Sequence, residues 1–574
     1  MVTMSDVGGD ARKLSDGELP VTVAHRFLFI GPLRNQNGFC PSCLKQRIEE
    51  VGLSDHYLGG DSPAEPDRAE QRLIVMYSER LRNSRDRHML YALDRNTQEV
   101  TVLSTYKRSD CPACSSDPAD AKTGEDAGGT GRPFNPADPR LRSWKEVTER
   151  IDRHSAMVRG SRLSIISREN RSGDSFGLPM VETEVRQNGV SLLSYGRTGT
   201  YGKSRYTSIL ESLERYATAF PYGRPDGVFR EGEDPKIGLT LSQVMQAADM
   251  APGDYSADKP IRYREAEELH SGERRLIPEQ LIYFDSHHVS GEPRYLFESS
   301  NGSALGSTVG EASLFAMLEL FERDAFLATW YGQIPPVRIA AGSIHSPVLK
   351  SYIVALQKKG IRVHLFDISM ELRIPTIWVL LEKVGAGDED MAFYTAAASS
   401  FELEDAIEKA LIEATTAISV FQNVFSTAEF RERKKKLSRQ PDAVSRLEDH
   451  LLLFSNPESG KYLEFALGTP HELSMDELDR TYERFGGSYE EVLGEFHRIL
   501  KAGSDQVFRA VTPNPNMDEI GFVNVKYIVP GMLTMTFGHQ NRRIIRRRVE
   551  QAIRFKGRGR LDENWLREVP HPFP

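Results

Sequence analysis

Thr207-Ser-Ile-Leu-Glu211-Ser-Leu-Glu214-Arg215-Tyr216 and Phe315-Ala-Met-Leu-Glu319-Leu-Phe-Glu322-Arg323-Asp324 carry one signature, Glu-x-x-Glu-Arg, on two stretches of helical character. Apolar residues recur at helical spacing in each: Leu210, Leu213, Ala217, Phe220 and Leu314, Leu318, Phe321, Ala325. The glutamates form a row one position past the stripe. Glu211 and Glu214 share a face of the first helix, and Glu311, Glu319 and Glu322 share a face of the second. Like carboxylates three residues apart repel, and an unpaired charge beside a core is costly to bury. A hard divalent cation is the usual agent that gathers them, and Mg2+ held by a few carboxylates and substrate phosphates fits. The plain alternative is a pair of solvated helix edges with Glu–Arg pairs. Repetition on two helices of one chain favours the cation.

Both stretches are entered through glycine. Tyr195-Gly-Arg-Thr-Gly-Thr-Tyr-Gly-Lys203 precedes the first, but Arg197 stands where a Walker loop needs glycine, so that motif is rejected. Lys203 at a helix N-terminus is a candidate phosphate contact, with a plain tight turn as the alternative. Ser300-Asn-Gly302-Ser-Ala304-Leu-Gly306-Ser307-Thr308 opens the second, and its glycines permit close backbone approach to a ligand. A third helical run, Glu404–Ser419, puts Lys409 and Glu413 on one face; alone it would be an ordinary surface pair.

Around these stretches the 574 residues divide readily. A net charge of -9 argues against nucleic acid as a main partner, and no run of 18 apolar residues exists to span a membrane. The N-terminus has no basic and apolar export signal, so the cytoplasm is the expected location. The four cysteines form two pairs, Cys40-Pro-Ser-Cys43 and Cys111-Pro-Ala-Cys114. Two such pairs read as a closed, structural tetrathiolate zinc site; a redox pair or free thiols are the alternatives. We expect a mobile segment over 1–20, a zinc domain over 21–115, a linker rich in Asp, Gly and Pro over 116–143, and an α/β (α+β) domain over 144–574. The basic run Asn541–Arg548 is expected to cover a helix or strand surface, docking of an acidic partner being the minor alternative. Pro570-His-Pro572-Phe-Pro574 is stiff, which suggests a tail that docks.

Jointly, Gly202-Lys203, Thr207…Glu211…Glu214-Arg215, Ser300-Asn301-Gly302, Glu311…Glu319…Glu322-Arg323, Lys409…Glu413, Asp449-His450-Leu451, Val529-Pro530-Gly531 and the proline tail resemble the YcaO family, specifically its azoline-forming cyclodehydratases, over residues 145–574. The resemblance implies a YcaO-type ATP-binding domain behind a small zinc domain. It implies ATP and Mg2+ held by Glu211, Glu214, Glu311, Glu319, Glu322 and Glu413, with Lys203, Thr207, Ser307 and Lys409 as further nucleotide contacts. Arg215, Arg323, Pro570, Pro572 and Pro574 are the implied catalytic positions. The implied reaction is attack of a Cys, Ser or Thr side chain on the preceding amide carbonyl of a precursor peptide. ATP then phosphorylates the amide oxygen, which leaves as phosphate. Ala304, Ser307, Phe315, Lys409 and Thr416 depart from the family's usual polar residues, which leaves a non-catalytic scaffold as one alternative; thioamide or amidine formation is the other. The cysteine segment is similar to zinc-bearing pieces of E1-like (ThiF-like) proteins and is too short for a whole one. A separate E1-like leader-binding partner, a flavin-dependent azoline dehydrogenase and a homodimer are the associated expectations.

Overall fold

The computed structural model describes residues 2–6, 18–33, 39–59, 65–84, 86–111, 132–175, 177–251, 253–387, 389–424 and 427–573. Its first sheet is built in chain order from Val2–Asp6 (β1), Leu19–Val23 (β2), Phe27–Ile30 (β3), Met89–Asp94 (β4) and Val100–Ser104 (β5). All pairs are antiparallel except β1 with β2. The segment expected to be mobile therefore contains a strand. All five residues of β2 are buried, so its outer backbone groups need a partner, and β1 supplies one. Alternation sorts β3: Phe27 and Phe29 meet Cys43, Leu44 and Ile48 of the helix Pro41–Glu50, while Leu28 and Ile30 meet Ile74 and Leu81 of the helix Arg68–Asn83.

Arg47, one turn beyond Cys43, fastens this unit to the rest. Its side chain is fully buried and donates to the carbonyls of Leu163 (3.2 Å), Ser164 (2.6 Å) and Arg186.

The expected linker is a second correction. Residues 116–131 lie outside the described ones, but within 132–143 Phe134 and Leu141 are packed. Phe134 donates its N–H to the Gly487 carbonyl and sets its ring edge-on to Phe401 and Tyr489, while Leu141 is buried beside them. Two apolar side chains in a Pro-rich stretch suffice to bind it to an apolar wall. The helix Trp144–Arg153 then begins at the expected place, behind a Ser143–Glu146 capping box.

Three sheets build the large domain, confirming the mixed α/β reading. Ile166–Ser175 (β6), Leu178–Gln187 (β7) and Val190–Arg197 (β8) form an antiparallel meander. Gly227–Phe229 (β9), Ile261–Glu268 (β10), Arg274–Pro278 (β11) and Ser303–Gly306 (β12) join Phe508–Thr512 (β18) and Val523–Ile528 (β19) in a sheet of order β11-β10-β18-β19-β12, with β9 beside β10. Val337–Ile339 (β13), Ile361–Asp367 (β14), Thr376–Lys383 (β15), Phe393–Ser399 (β16) and Glu472–Leu473 (β17) form the last, ordered β16-β15-β14-β13-β17.

The first glutamate helix, Tyr201–Ala219, packs on β7, β8 and β12. The second, Val309–Tyr331, packs on β12 and β19 of one sheet and β15 and β16 of the other. The third, Leu403–Val424, packs on β15 and β16 and touches β6. The second helix is apolar on nearly all sides, as a helix between two sheets must be. Among the described residues no helix is long and apolar enough to cross a membrane.

Candidate functional site

Two close approaches bring the helices to their sheets. A Cβ on Gly196, near the end of β8, would collide with the Ser204 carbonyl of the first helix. One on Gly306, at the end of β12, would collide with the Ala312 backbone of the second. Thr200 and Thr308 cap the two helices by accepting from the N–H groups of Lys203 and Glu311. These contacts carry the glutamate rows inward.

The carboxylates meet as a web with a backbone donor on nearly every member. Tyr195 N–H donates to Glu211 (2.9 Å), Leu305 N–H to Glu214 (3.1 Å) and Ser399 N–H to Glu322 (3.0 Å). Arg323 lies 3.8 Å from Glu319 and 3.5 Å from Glu322, and Arg215 pairs with Glu211 at 2.8 Å. Burial pushes Glu214 up to about 8, and the nearby Glu319 adds to the rise. Glu322 is also pushed up to about 8, by burial first; Arg323 opposes the rise, while Glu413 and Glu319 reinforce it. Glu319 and Glu413 are raised too, again chiefly by burial.

This is the condition a hard cation relieves, because its charge offsets both desolvation and mutual repulsion. Two guanidinium nitrogens add a counterpart. Nε of Arg323 and Nε of Arg197 are buried without a hydrogen-bond acceptor, and Arg197 faces Glu211, Glu413 and Tyr394. More carboxylates than arginines, beside guanidinium nitrogens that lack a hydrogen bond, suit a cation bridged to a polyanion.

Several expected members stand apart from the web. Glu311 lies two helical turns before Glu319, about 12 Å along the axis. It is 2% exposed and accepts from the Ser307 hydroxyl and from Leu141 N–H (3.3 Å), with Arg140 at 3.7 Å. Ser307 thus serves Glu311, and the segment read as a linker holds that carboxylate. Lys203 is exposed on the first turn of its helix. The Thr207 hydroxyl donates to the Lys203 carbonyl, as an interior helical threonine does. Lys409 pairs with Asp405 at 2.7 Å instead of joining Glu413, since an acid one turn earlier on the exposed face is nearer. Arg197 was missed as a site residue; its only signal was its place at the end of a strand leading into the glutamate helix.

The tail docks at this web. Phe573 is 1% exposed, packs edge-on to Phe326 at 4.9 Å, and lies 4.4 Å beneath the Arg323 guanidinium. His571 stacks on His450 at 4.3 Å; its Nε2–H donates to the Thr536 carbonyl, while His450 Nδ1–H donates to the His571 carbonyl. Pro570 and Pro572 are buried beside them, and Pro574 lies outside the described residues.

Behind the web, the basic run expected at the surface is partly interior. Arg548 clamps Asp324 (2.6 Å) and Glu371 (2.8 Å), and Arg543 pairs with Glu298 (2.8 Å). Acidic side chains from three separate segments draw these arginines inward.

The cysteines converge as well. Cys40 Sγ lies 3.8 Å from that of Cys43 and 3.5 Å from that of Cys111. Tetrahedral zinc with bonds of about 2.3 Å places sulfurs about 3.8 Å apart, so the three fit that ion. Cys114 lies outside the described residues.

Half-buried carboxylates from three helices lie around the guanidinium groups of Arg197 and Arg323, a setting that suits a divalent cation and a polyanion. A family model described as YcaO cyclodehydratase, ATP- and Mg2+-binding, matches residues 195–533, and the chain belongs to that family. It is 21% identical over 364 residues to an uncharacterized protein of Methanothermobacter thermautotrophicus, covering 62% of this chain and 87% of that protein. Its fold is similar to that of a heterocyclase in complex with substrate and cofactor, with a TM-score of 0.68 and 17% identity over 97% of this chain and 77% of that one. It is also similar to YcaO from Methanopyrus kandleri bound with AMPPCP and Mg2+, with a TM-score of 0.51 and 18% identity over 72% of this chain and 97% of that one. The likeness to the heterocyclase reaches beyond the family domain and takes in the N-terminal unit.

Proposed function

We propose that this chain is an ATP- and Mg2+-dependent azoline-forming cyclodehydratase, acting on Cys, Ser or Thr residues of a ribosomally made precursor peptide. The observation that carries the reading is the docking of Phe573 beneath Arg323, which places the proline-rich tail against the carboxylate web. ATP with Mg2+ supplies a phosphoryl group that turns the amide oxygen into a leaving group. Glu211, Glu214, Glu319, Glu322 and Glu413 would hold the metal, and Arg197 and Arg323 carry donors suited to phosphate oxygens. Glu311, tied to Arg140 and Leu141, positions the entry of the second helix. The tail holds Arg323 by its ring and excludes water from that side of the web. Cys40, Cys43, Cys111 and Cys114 would hold a structural zinc that rigidifies the N-terminal unit. An E1-like partner supplies leader recognition, and a flavin dehydrogenase acts afterwards where rings are oxidised to azoles.

The test is a reconstitution with partner, a precursor rich in Cys and Ser, and ATP. Loss of one water per modified residue together with phosphate release is expected. Unchanged peptide mass without phosphate release would mark a scaffold instead. Exchange of amide oxygen for sulfur, with sulfide supplied, would mark thioamide formation.

A further inference from the structure

The strand β11 is followed by a short descent to a one-turn helix, Ser286–Ser290, which ends at Gly291 in a left-handed turn. Asp285, His287 and His288 project from this turn, and their donor atoms all lie within 4.8 Å of one another. The two imidazole rings are 4.1 Å apart, centroid to centroid. Adjacent residues normally diverge; here both rings turn to the side of the Asp285 carboxylate. Asp285 and His287 are half-buried and His288 is exposed, so the cluster is lined by protein on one side and open on the other. Among the described residues, none of the three side chains makes a hydrogen bond to the protein; the side-chain influences on Asp285 are the charges of Arg294 and His288. A half-buried carboxylate and two imidazoles, all converging and all with lone pairs to spare, are what a metal ion takes up.

The setting favours a cation. Asp285 donates its N–H to the carbonyl of Ala219, the last residue of the first glutamate helix, at 3.2 Å. The partial negative charge of that helix end therefore bears on the cluster. Arg294 is a fixed positive charge that bears on Asp285 and His287, and it is shared with other partners: it donates to the Glu298 carbonyl at 3.1 Å and stacks on Phe297 at 4.3 Å.

We propose that Asp285, His287 and His288 form a second metal site, for a borderline divalent cation of the Zn2+ or Co2+ type. Two imidazoles and one carboxylate match the ligand preference of such ions, and three protein ligands leave a position for water. The site is separate from the carboxylate web: Glu214 lies five residues, about 7.5 Å of helix, before Ala219. Its role is to pin the turn that follows β11 to the end of the first glutamate helix.

The experiment uses the full chain, produced with Co2+ in place of zinc at the cysteines, freed of loosely bound metal by gel filtration and titrated with further Co2+ in excess Mg2+, which occupies oxygen-only ligands. Cobalt bound to the cysteines shows intense thiolate charge transfer. Cobalt at the imidazole site shows only weak visible bands. The expected result is one equivalent of each kind in the wild type. His287→Ala/His288→Ala should keep the thiolate band, which also reports a folded chain, and lose the other equivalent. Asp285→Asn should weaken that equivalent about tenfold or more, at least the cost of losing an outer-shell partner of a metal site. A wild-type chain that shows no equivalent of the weak-band kind overturns the proposal. So does such an equivalent that survives in the double histidine variant, with circular dichroism as the independent check of folding.

Discussion

Cysteines and glutamates are gathered in two different ways in this molecule. Three thiols sit with their sulfurs 3.5 and 3.8 Å apart in the pairs that share Cys40, all fully or almost fully buried. Thiols behave as small apolar groups, so a core accepts them side by side at little cost. The carboxylates of the web cannot do this. Glu211, Glu214, Glu319 and Glu322 are each met by a backbone N–H or a guanidinium, and among the described residues no three of the glutamates bring donor atoms within 4.8 Å of one another. At both places a metal must displace protons, from thiols at the cysteines and from carboxyls with raised pKa values at the web. The first arrangement suits permanent structure and the second suits a ligand that comes and goes.

The comparison is broken most severely at the cysteines. Cys111→Ser should unfold the N-terminal unit, because structural zinc contributes on the order of 10 kcal/mol to a small domain's folding. Metal analysis and protease sensitivity check this; a variant with normal zinc and normal resistance would mean the thiols are merely packed. The tail comes next. Removing residues 571–574 should slow cyclisation by roughly 10²-fold, the scale of misplacing reacting groups by about 1 Å. It should also cost stability, on the order of 3 kcal/mol, because Phe573 fills a core position against Phe326. Phe573→Leu separates the effects: most of the stability should remain while turnover falls, and equal rates would show that the ring over Arg323 has no catalytic consequence.

Smaller effects come from pH. Glu214 and Glu322 are raised above the ordinary carboxyl range to about 8, so the folded chain holds protons there that the unfolded chain has released. That contribution is fully present below the ordinary carboxyl range and is lost as pH rises through about 8. Metal-free protein should therefore melt progressively lower between about pH 5 and pH 8, and Mg2+ with nucleotide should recover more stability at the upper end. A metal effect independent of pH would show that the web is not where the cation binds. The tail runs oppositely. Burial holds His450 down to about 4, and His571 is held well below the usual imidazole range for the same reason. His450 Nε2 accepts from Gly538 N–H at 3.1 Å, so a proton on it would face a donor. Stability from these two is present above the ordinary imidazole pKa of about 6.5 and is lost as pH falls below it. Tail protection from proteolysis should follow that curve.

What could be read from the chain divides along the same line. The glutamate rows are a local pattern, and Glu211, Glu214, Glu319 and Glu322 do lie on the two helices that local spacing gives. Strands such as Thr376–Leu381 were legible because a short apolar run between polar flanks has few other uses. What failed was long-range. Glu311 has the right helical phase for the web, yet it is bound by Arg140 and Leu141 from a segment whose composition reads as a linker. Lys409 has the right phase for Glu413 but pairs with Asp405. Arg197 carries no motif of its own, and its relevance appears only when β8 delivers it beside Glu413. The basic run looks like surface until Asp324, Glu371 and Glu298 are seen to draw its arginines inward.

The central claim is that the carboxylate web binds the metal and nucleotide used for turnover. Phosphate release by Glu322→Gln, with partner and precursor peptide present, tests it most directly, because the change removes a ligand charge and keeps the volume. The account predicts a chain that folds and melts normally, holds its zinc, and releases no phosphate above background. Turnover like that of the wild type would contradict it and reduce the glutamate rows to edges neutralised by Arg323 alone.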